Sequence, residues 1–217
     1  MKDLPVKPGR RFIASLIAEG EHARQDFKFL ISDGRKIARS ISAFANADGG
    51  RLLIGVKDNG AVAGIRNEED VYVVEMAARR YCDPPQDVEF AAYSYDTGVT
   101  VIVATIAKAT DRPVRAQEPD GRWRAYYRVA DENIVAHPLM VRAWQADAPL
   151  TFALDDTASR LLALADRHPD GLDVMQIAVE LGISRRAAES LIVALASAHI
   201  LTFTYHAPNF RITRPTP

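Results

Sequence analysis

The sequence predicts an α+β fold, a mixed sheet with flanking helices, followed by a small winged helix-turn-helix unit. Three observations predict it. Helical and strand-like periodicities alternate from residue 1 to about residue 145, as they do where helices cover a mixed sheet. Leu52, Leu53, Ile54 and Val56 form a short apolar run closed by Asp58-Asn59-Gly60, the pattern of a strand shielded on both faces. After the linker, strands give way to three helical stretches and a closing hairpin. The boundaries read as an α+β domain over 1–145, a linker over 146–154 and the winged unit over 155–217.

The first helix covers Arg11 to Ala18, with Phe12, Leu16 and Ile17 as its apolar stripe, and Gly20 ends it. Gln25 to Leu30 alternates polar and apolar side chains, as a half-buried strand does. Ser32-Asp33-Gly34 turns the chain and caps a helix from Arg35 to Ala45 that buries Ile37, Ile41 and Phe44. The loop Asn46-Ala47-Asp48-Gly49-Gly50 has two readings. It stops a helix and opens a strand, or it lets backbone amides approach a ligand or another strand closely. Strand Arg51–Val56, the Asp58-Asn59-Gly60 turn and a short return strand over Val62–Ile65 follow.

Asn67-Glu68-Glu69-Asp70 places acids in the first turn of a helix running to Tyr81, which stops before Asp83-Pro84-Pro85. Strands Val88–Tyr95 and Val99–Ile106 flank an Asp96-Thr97-Gly98 turn; Arg122–Val129 is one more strand, and Pro138–Trp144 a closing helix. Beyond the linker, Asp155-Asp156-Thr157 opens a helix through Arg167 carrying Leu161, Leu162 and Leu164. Asp173 caps Val174–Leu181, Gly182 turns the chain, and Ser184 caps a third helix to about His199. Ile200–Tyr205 and Phe210–Thr213 then pair across Ala207-Pro208-Asn209. Helix, short helix, glycine turn, helix and hairpin in that order describe a winged helix-turn-helix.

Composition sets the frame for function. With 48% hydrophobic and 25% charged residues and a net charge of −1, the chain has an ordinary globular balance. No run approaches the roughly 18 apolar residues of a membrane span. MKDLPVKPGRR lacks the apolar core of a secretory signal, and a single cysteine, Cys82, forms no internal disulfide. A cytoplasmic protein is expected. A near-neutral total still permits a local basic face. Lys28, Arg35, Lys36, Arg39 and Arg51 are the candidate phosphate contacts of the first domain, and Arg112, Arg115, Arg122, Arg124 and Arg128 crowd a later segment. Arg185 and Arg186 stand where the third helix of the winged unit starts, positioned for a groove. From Thr151 onward, six Arg and no Lys face seven Asp plus Glu, so dimerisation or domain packing is the other reading of that unit. The five histidines are scattered and give no zinc spacing.

Several fragments together carry a resemblance. They are Glu21 with Asp26-Phe27-Lys28, Ile41-Ser42-Ala43-Phe44-Ala45-Asn46, Gly49-Gly50, Ile54-Gly55-Val56, Asp58 and Gly64, then Tyr127-Arg128-Val129 with Ala130-Asp131-Glu132-Asn133. Over roughly Arg11 to Met140 the chain resembles the Schlafen/AlbA-like DNA-binding domain, formerly labelled a divergent AAA-type ATP-binding region. It departs from that pattern at Asp26, where the family often has Glu, and at Asp48, where a small hydroxyl residue is common. The resemblance implies a DNA-binding transcriptional regulator working as a homodimer, with no cofactor expected. It also implies an alternative: Glu21, Asp26 and Asp58 resemble the acidic trio of Schlafen-type nucleases, which would hold Mg²⁺ or Mn²⁺ to activate water. ATP binding is a third possibility, although the chain lacks the Gly-x-x-x-x-Gly-Lys-Ser/Thr phosphate loop.

Overall fold

A computed structural model describes residues 4–65, 69–146 and 155–215. They form two compact units, Met1–Ala136 and His137–Pro217. The first contains β1 (Val6–Pro8), α1 (Arg10–Ala18), β2 (Gln25–Lys28), α2 (Gly34–Asn46), β3 (Gly50–Ile54), α3 (Glu69–Arg80), β4 (Cys82–Asp83), β5 (Val88–Asp96), β6 (Val99–Ile106), β7 (Arg115–Gln117), β8 (Trp123–Val129) and β9 (Glu132–Val135). The second contains α4 (Pro138–Gln145), α5 (Asp156–Arg167), α6 (Val174–Leu181), α7 (Arg185–Ser197), β10 (Thr202–His206) and β11 (Asn209–Thr213).

The larger sheet of the first unit has the order β1-β5-β6-β3-β2. It is mixed as expected: β1–β5 and β2–β3 run parallel, β3–β6 and β5–β6 antiparallel. The apolar run in β3 is shielded on both faces. Leu52 and Ile54 join Ile37, Ile41 and Phe44 of α2 in one buried cluster, whereas Leu53 and Val56 join Ile13 and Leu16 of α1 in another. Each such side chain contributes roughly 1.5–3 kcal/mol by leaving water. Gln25, fully buried, closes α1 by donating its amide to Leu16 O at 2.6 Å and Gly20 O at 2.7 Å.

The smaller sheet, β4-β7-β8-β9, packs on α2 from another side. Two polar side chains of α2 make that junction. Asn46 donates to Val114 O at 2.7 Å and Tyr126 O at 2.8 Å, and accepts from Val114 N–H at 2.8 Å. Ser42 donates to Val114 O at 2.8 Å and accepts from Tyr126 N–H at 3.0 Å. Buried backbone groups that no neighbouring strand satisfies are thus satisfied by a helix.

The Gly49-Gly50 loop both stops α2 and opens β3, with Gly49 N–H bonded back to Phe44 O at 2.9 Å, and it lies close against a strand. Gly49 has φ +71°, and a Cβ there would meet Ile106 O at 2.8 Å; a Cβ on Gly50 would enter the Phe44 ring. The return strand expected over Val62–Ile65 shrinks to a single bridge between Val56 and Val62. Strands β1, β4, β7 and β9 had no sequence signal, because two to four residues are too few to show a period. Asn67 and Glu68, expected to open α3, lie outside the described residues, as does the linker beyond Ala146.

In α5, α6 and α7 the caps fall where the sequence put them, whereas the His137 cap of α4 had no sequence signal. Asp155 accepts from Ala158 N–H at 2.7 Å and Ser184 from Ala187 N–H at 3.2 Å. Asp173 and Gln176 form a reciprocal capping box, and Gly182 takes the left-handed turn at φ +67°. Helix α4, expected to close the first domain, packs instead on α7, so the compact units divide at Ala136 and His137. No helix of the described residues is long and apolar enough to cross a membrane.

Replacing Asn46 by Ala removes three hydrogen bonds to backbone and a fourth to Ser42, and leaves buried backbone groups unpaired. A loss of about 2–4 kcal/mol in urea-unfolding stability is expected. A change below about 0.5 kcal/mol would mean that the junction is held by other contacts.

Candidate nucleic-acid interface

The cations of α2 owe their position to an N-cap. Asp33 accepts from Arg35 N–H at 2.9 Å and Lys36 N–H at 3.4 Å, which starts the helix there and sets Arg35, Lys36 and Arg39 on its first two turns. Arg35 lies over the Tyr81 ring, 4.6 Å from its centroid. Arg39 makes a two-nitrogen ion pair with Glu118, one contact being its Nε at 3.1 Å from Oε1.

Glu118 is the point where two basic segments far apart in sequence meet. It is buried, accepts a hydrogen bond from the Tyr126 hydroxyl at 2.6 Å, and feels the charge of Arg124. Burial works against its negative charge; the bonds from Tyr126 and Arg39 and the neighbouring guanidiniums outweigh it, holding the carboxyl below its usual range. Tyr126 is pushed up to about 12, by burial first and by Glu118 second. Alternation along β8 gives Arg124 and Tyr126 the same face of the strand, the one turned to α2. Arg122, on the hairpin before them, pairs with Asp120. Among the described residues, no ion pair engages Lys36 or Arg124, and both are exposed.

A second polar cluster surrounds Asp26 on β2. Asp26 is 5% exposed, with Lys28 Nζ 2.6 Å from one oxygen and the buried Arg128 guanidinium 3.7 Å from the other. Arg128 also donates to Asn133 Oδ1 at 2.9 Å and Gln25 O at 3.2 Å, and lies over the Phe44 ring. Asn133 donates to Ser40 Oγ at 3.0 Å, linking β9 to α2. Glu21 is adjacent: its Oε1 accepts from Phe27 N–H at 2.8 Å. Burial, then sharing a proton with Asp26, raises its carboxyl above the usual range.

The sequence-predicted residues are therefore sorted by their partners. Glu21 and Asp26 come together; Asp58 is exposed in the turn whose Gly60 N–H bonds back to Lys57 O, and no contact joins it to them. Among the described residues, no group of three or more His, Cys, Asp or Glu could hold a metal ion. Lys28 is committed to Asp26, and Arg51 to Glu19 at 2.5 Å and Gln25 at 2.6 Å. Arg128, counted in the basic crowd, is buried structure. Arg185 pairs with Glu189 at 2.9 Å, whereas Arg186 is exposed with no ion pair among the described residues. Glu118, which organises the basic face, carried no sequence signal of its own; the alternation Arg122, Arg124, Tyr126, Arg128 was the available hint.

Comparison with known proteins covers most of this unit. The model of a family described as Schlafen, AlbA_2 matches residues 21–137. Among solved structures, the chain is similar to the DIP2311 protein from Corynebacterium diphtheriae, at 18% identity and a TM-score of 0.46. That alignment covers 92% of this chain and 37% of the other, so the chain spans little more than a third of that protein's length. No curated protein matches. The matched segment contains Glu21, Asp26, Lys28, the α2 cations, Glu118 and Arg124; Arg185 and Arg186 lie outside it.

The raised Glu21 carboxyl has a pH consequence. A group whose folded pKa lies above its unfolded value stabilises the fold fully below the unfolded value and loses that contribution as pH rises through the folded one. Glu21→Gln keeps an acceptor for Phe27 N–H and cannot ionise beside Asp26. Between about pH 4 and pH 7, wild-type urea midpoints should therefore fall relative to those of the variant. A gap independent of pH would show that the fold does not raise the Glu21 carboxyl.

Proposed function

The chain belongs to the Schlafen, AlbA_2 family, and from that premise we propose that it is a DNA-binding protein acting in transcription regulation. The family is consistent with a DNA-binding role. The observation that carries the reading is the meeting of Arg39 of α2 with Arg122 and Arg124 of the β8 hairpin around one buried carboxylate, with Arg35 and Lys36 on the same first turns of α2. Such a face attracts phosphates although the whole chain carries a net charge of −1.

The second unit enters this reading as a winged helix-turn-helix. In support are the order α5, α6, α7 and the β10–β11 hairpin, the left-handed turn at Gly182, and a Ser184 cap that starts α7 at Arg185 and Arg186. In such a unit the start of the third helix enters a groove, and the strands of the wing lie beside it. Two copies related by a two-fold axis would present two such helices to two half-sites. The reading sets the protein in the cytoplasm, with DNA and a second copy of itself as partners.

Gel retardation of a duplex of about 30 base pairs across a salt series tests this. Wild type should bind at low salt with an affinity that falls steeply as salt rises. The double variant Lys36→Ala/Arg124→Ala should bind about tenfold or more weakly at about 0.1 M salt, with a slope smaller by nearly two. Arg186→Ala separately tests the second unit and should weaken binding by less. Absence of retardation at the lowest salt, or a double variant that matches wild type, would overturn the assignment; Mn²⁺-dependent cleavage of the duplex would redirect it to Glu21 and Asp26.

A further inference from the structure

The second unit contains a cleft of about 380 Å³ between the start of α6, the start of α7 and strand β11. Its apolar wall is made by Val174, Met175 and Phe210. Phe210 is buried, whereas Met175 is 53% exposed, leaving a thioether side chain with apolar surface uncovered at the cleft.

The polar wall is rich in donors. Arg185 spends its Nε on Glu189, and among the described residues its terminal nitrogens have no protein hydrogen bond. Arg211 reaches Asp173 at 3.4 Å and Gln176 Oε1 at 3.2 Å, both long for charge-assisted bonds. His137 adds a third donor, because its Nδ1 accepts from Leu139 N–H at 3.2 Å and the neutral ring must then carry its proton on Nε2. Burial holds that imidazole below its usual pKa, which keeps it neutral near pH 7. The one carboxylate in the wall, Asp173, already accepts from Gln176 N–H and faces Arg211. Each guanidinium already faces an acid, Arg185 with Glu189 and Arg211 with Asp173, so the cleft holds no excess charge; what it keeps is unfilled donors, the terminal nitrogens of Arg185 and the His137 N–H, beside an uncovered apolar wall.

We propose that this cleft binds a small amphipathic anion, a single carboxylate or phosphate carried on an apolar ring or branched chain. The anionic group lies between Arg185 and Arg211, and the apolar body lies against Met175 and Phe210. The volume is at the lower end of ligand sites, which run roughly 300–1,000 Å³, and suits one ring with one charged group. Planar oxygens match two guanidinium forks better than they match an ammonium. The site shares Arg185 with the helix start of the nucleic-acid reading, and its test separates the two because it reads ligand binding directly and uses no DNA.

The experiment titrates the full chain with benzoate, phenyl phosphate, benzyl alcohol and inorganic phosphate, following calorimetry and the Met175 methyl resonance. Benzoate or phenyl phosphate should saturate at one per chain, about tenfold or more tighter than both benzyl alcohol and inorganic phosphate. Which of the two anions binds tighter identifies the preferred head group. Arg185→Gln and Arg211→Gln should each weaken binding about tenfold or more, with unchanged melting temperatures. Arg211 contacts the α6 cap, so if its variant unfolds, the exposed Arg185 decides alone. No saturable shift at Met175, equal binding of benzyl alcohol, or binding untouched by Arg185→Gln would overturn the proposal.

Discussion

Helix α2 has to satisfy the backbone of strands that it only packs against, and the rest of the first unit follows from how it does so. Val114 and Tyr126 present buried amide and carbonyl groups toward the helix, and only side chains of α2 can reach them. Ser42 and Asn46, one turn apart, have the required donors and acceptors, and Asn46 also donates to Ser42 at 3.3 Å. An amide offers two donors and two acceptor lone pairs from one rigid plane, so it fixes the distance between helix and strand and also their register. An apolar residue at either position would strand those backbone groups without partners.

That register decides what β8 presents. With Tyr126 N–H on Ser42, the alternate residues along the strand are assigned: Arg128 turns inward to Asp26 and Phe44, Tyr126 turns to Glu118, and Arg124 emerges toward the first turns of α2. A buried guanidinium beside a buried carboxylate is costly to assemble, and here both partners are further bonded, Arg128 by Asn133 and backbone carbonyls, Asp26 by Lys28. The two polar clusters are thus neighbours on one strand. One has its charges balanced and enclosed; the other has cations in excess at the surface.

The sequence was most legible where one residue type has one local physical role. Asp33, Asp155, Asp173 and Ser184 cap helices because a short acceptor side chain there meets free N–H groups, and Gly182 ends α6 because it alone tolerates the left-handed turn cheaply. The β3 run was legible because a strand covered on both faces has no polar alternation. Short strands β4, β7 and β9 were not, since their pairing depends on partners up to 34 residues away, as for Cys82 and Ala116. The candidate cations were legible as a list and not as a face. Arg51 and Arg128 have acids or carbonyls brought to them by the fold, which no local pattern encodes, whereas Lys28 meets Asp26 two residues earlier on the same strand, a pairing that strand alternation allows. Glu118 looks like any loop acid until the fold sets it between Arg39 and Tyr126.

A carboxylate inside a basic face is not a defect in it. Glu118 stays ionised because its donors lower its pKa more than burial raises it, so at neutral pH it cancels about one of the surrounding positive charges. What it returns is geometry. A guanidinium held by two nitrogens and stacked near Tyr126 cannot wander, and the cations left over, Lys36 and Arg124, are displayed from rigid elements on either side of it. Phosphates along a nucleic-acid strand are regularly spaced, so a face with fixed positions loses less side-chain entropy on binding than the same charges on a flexible loop. Burying one acid to hold the others in place therefore trades gross charge for a defined pattern, and a defined pattern is what the proposed phosphate contacts require of a chain with nearly zero net charge.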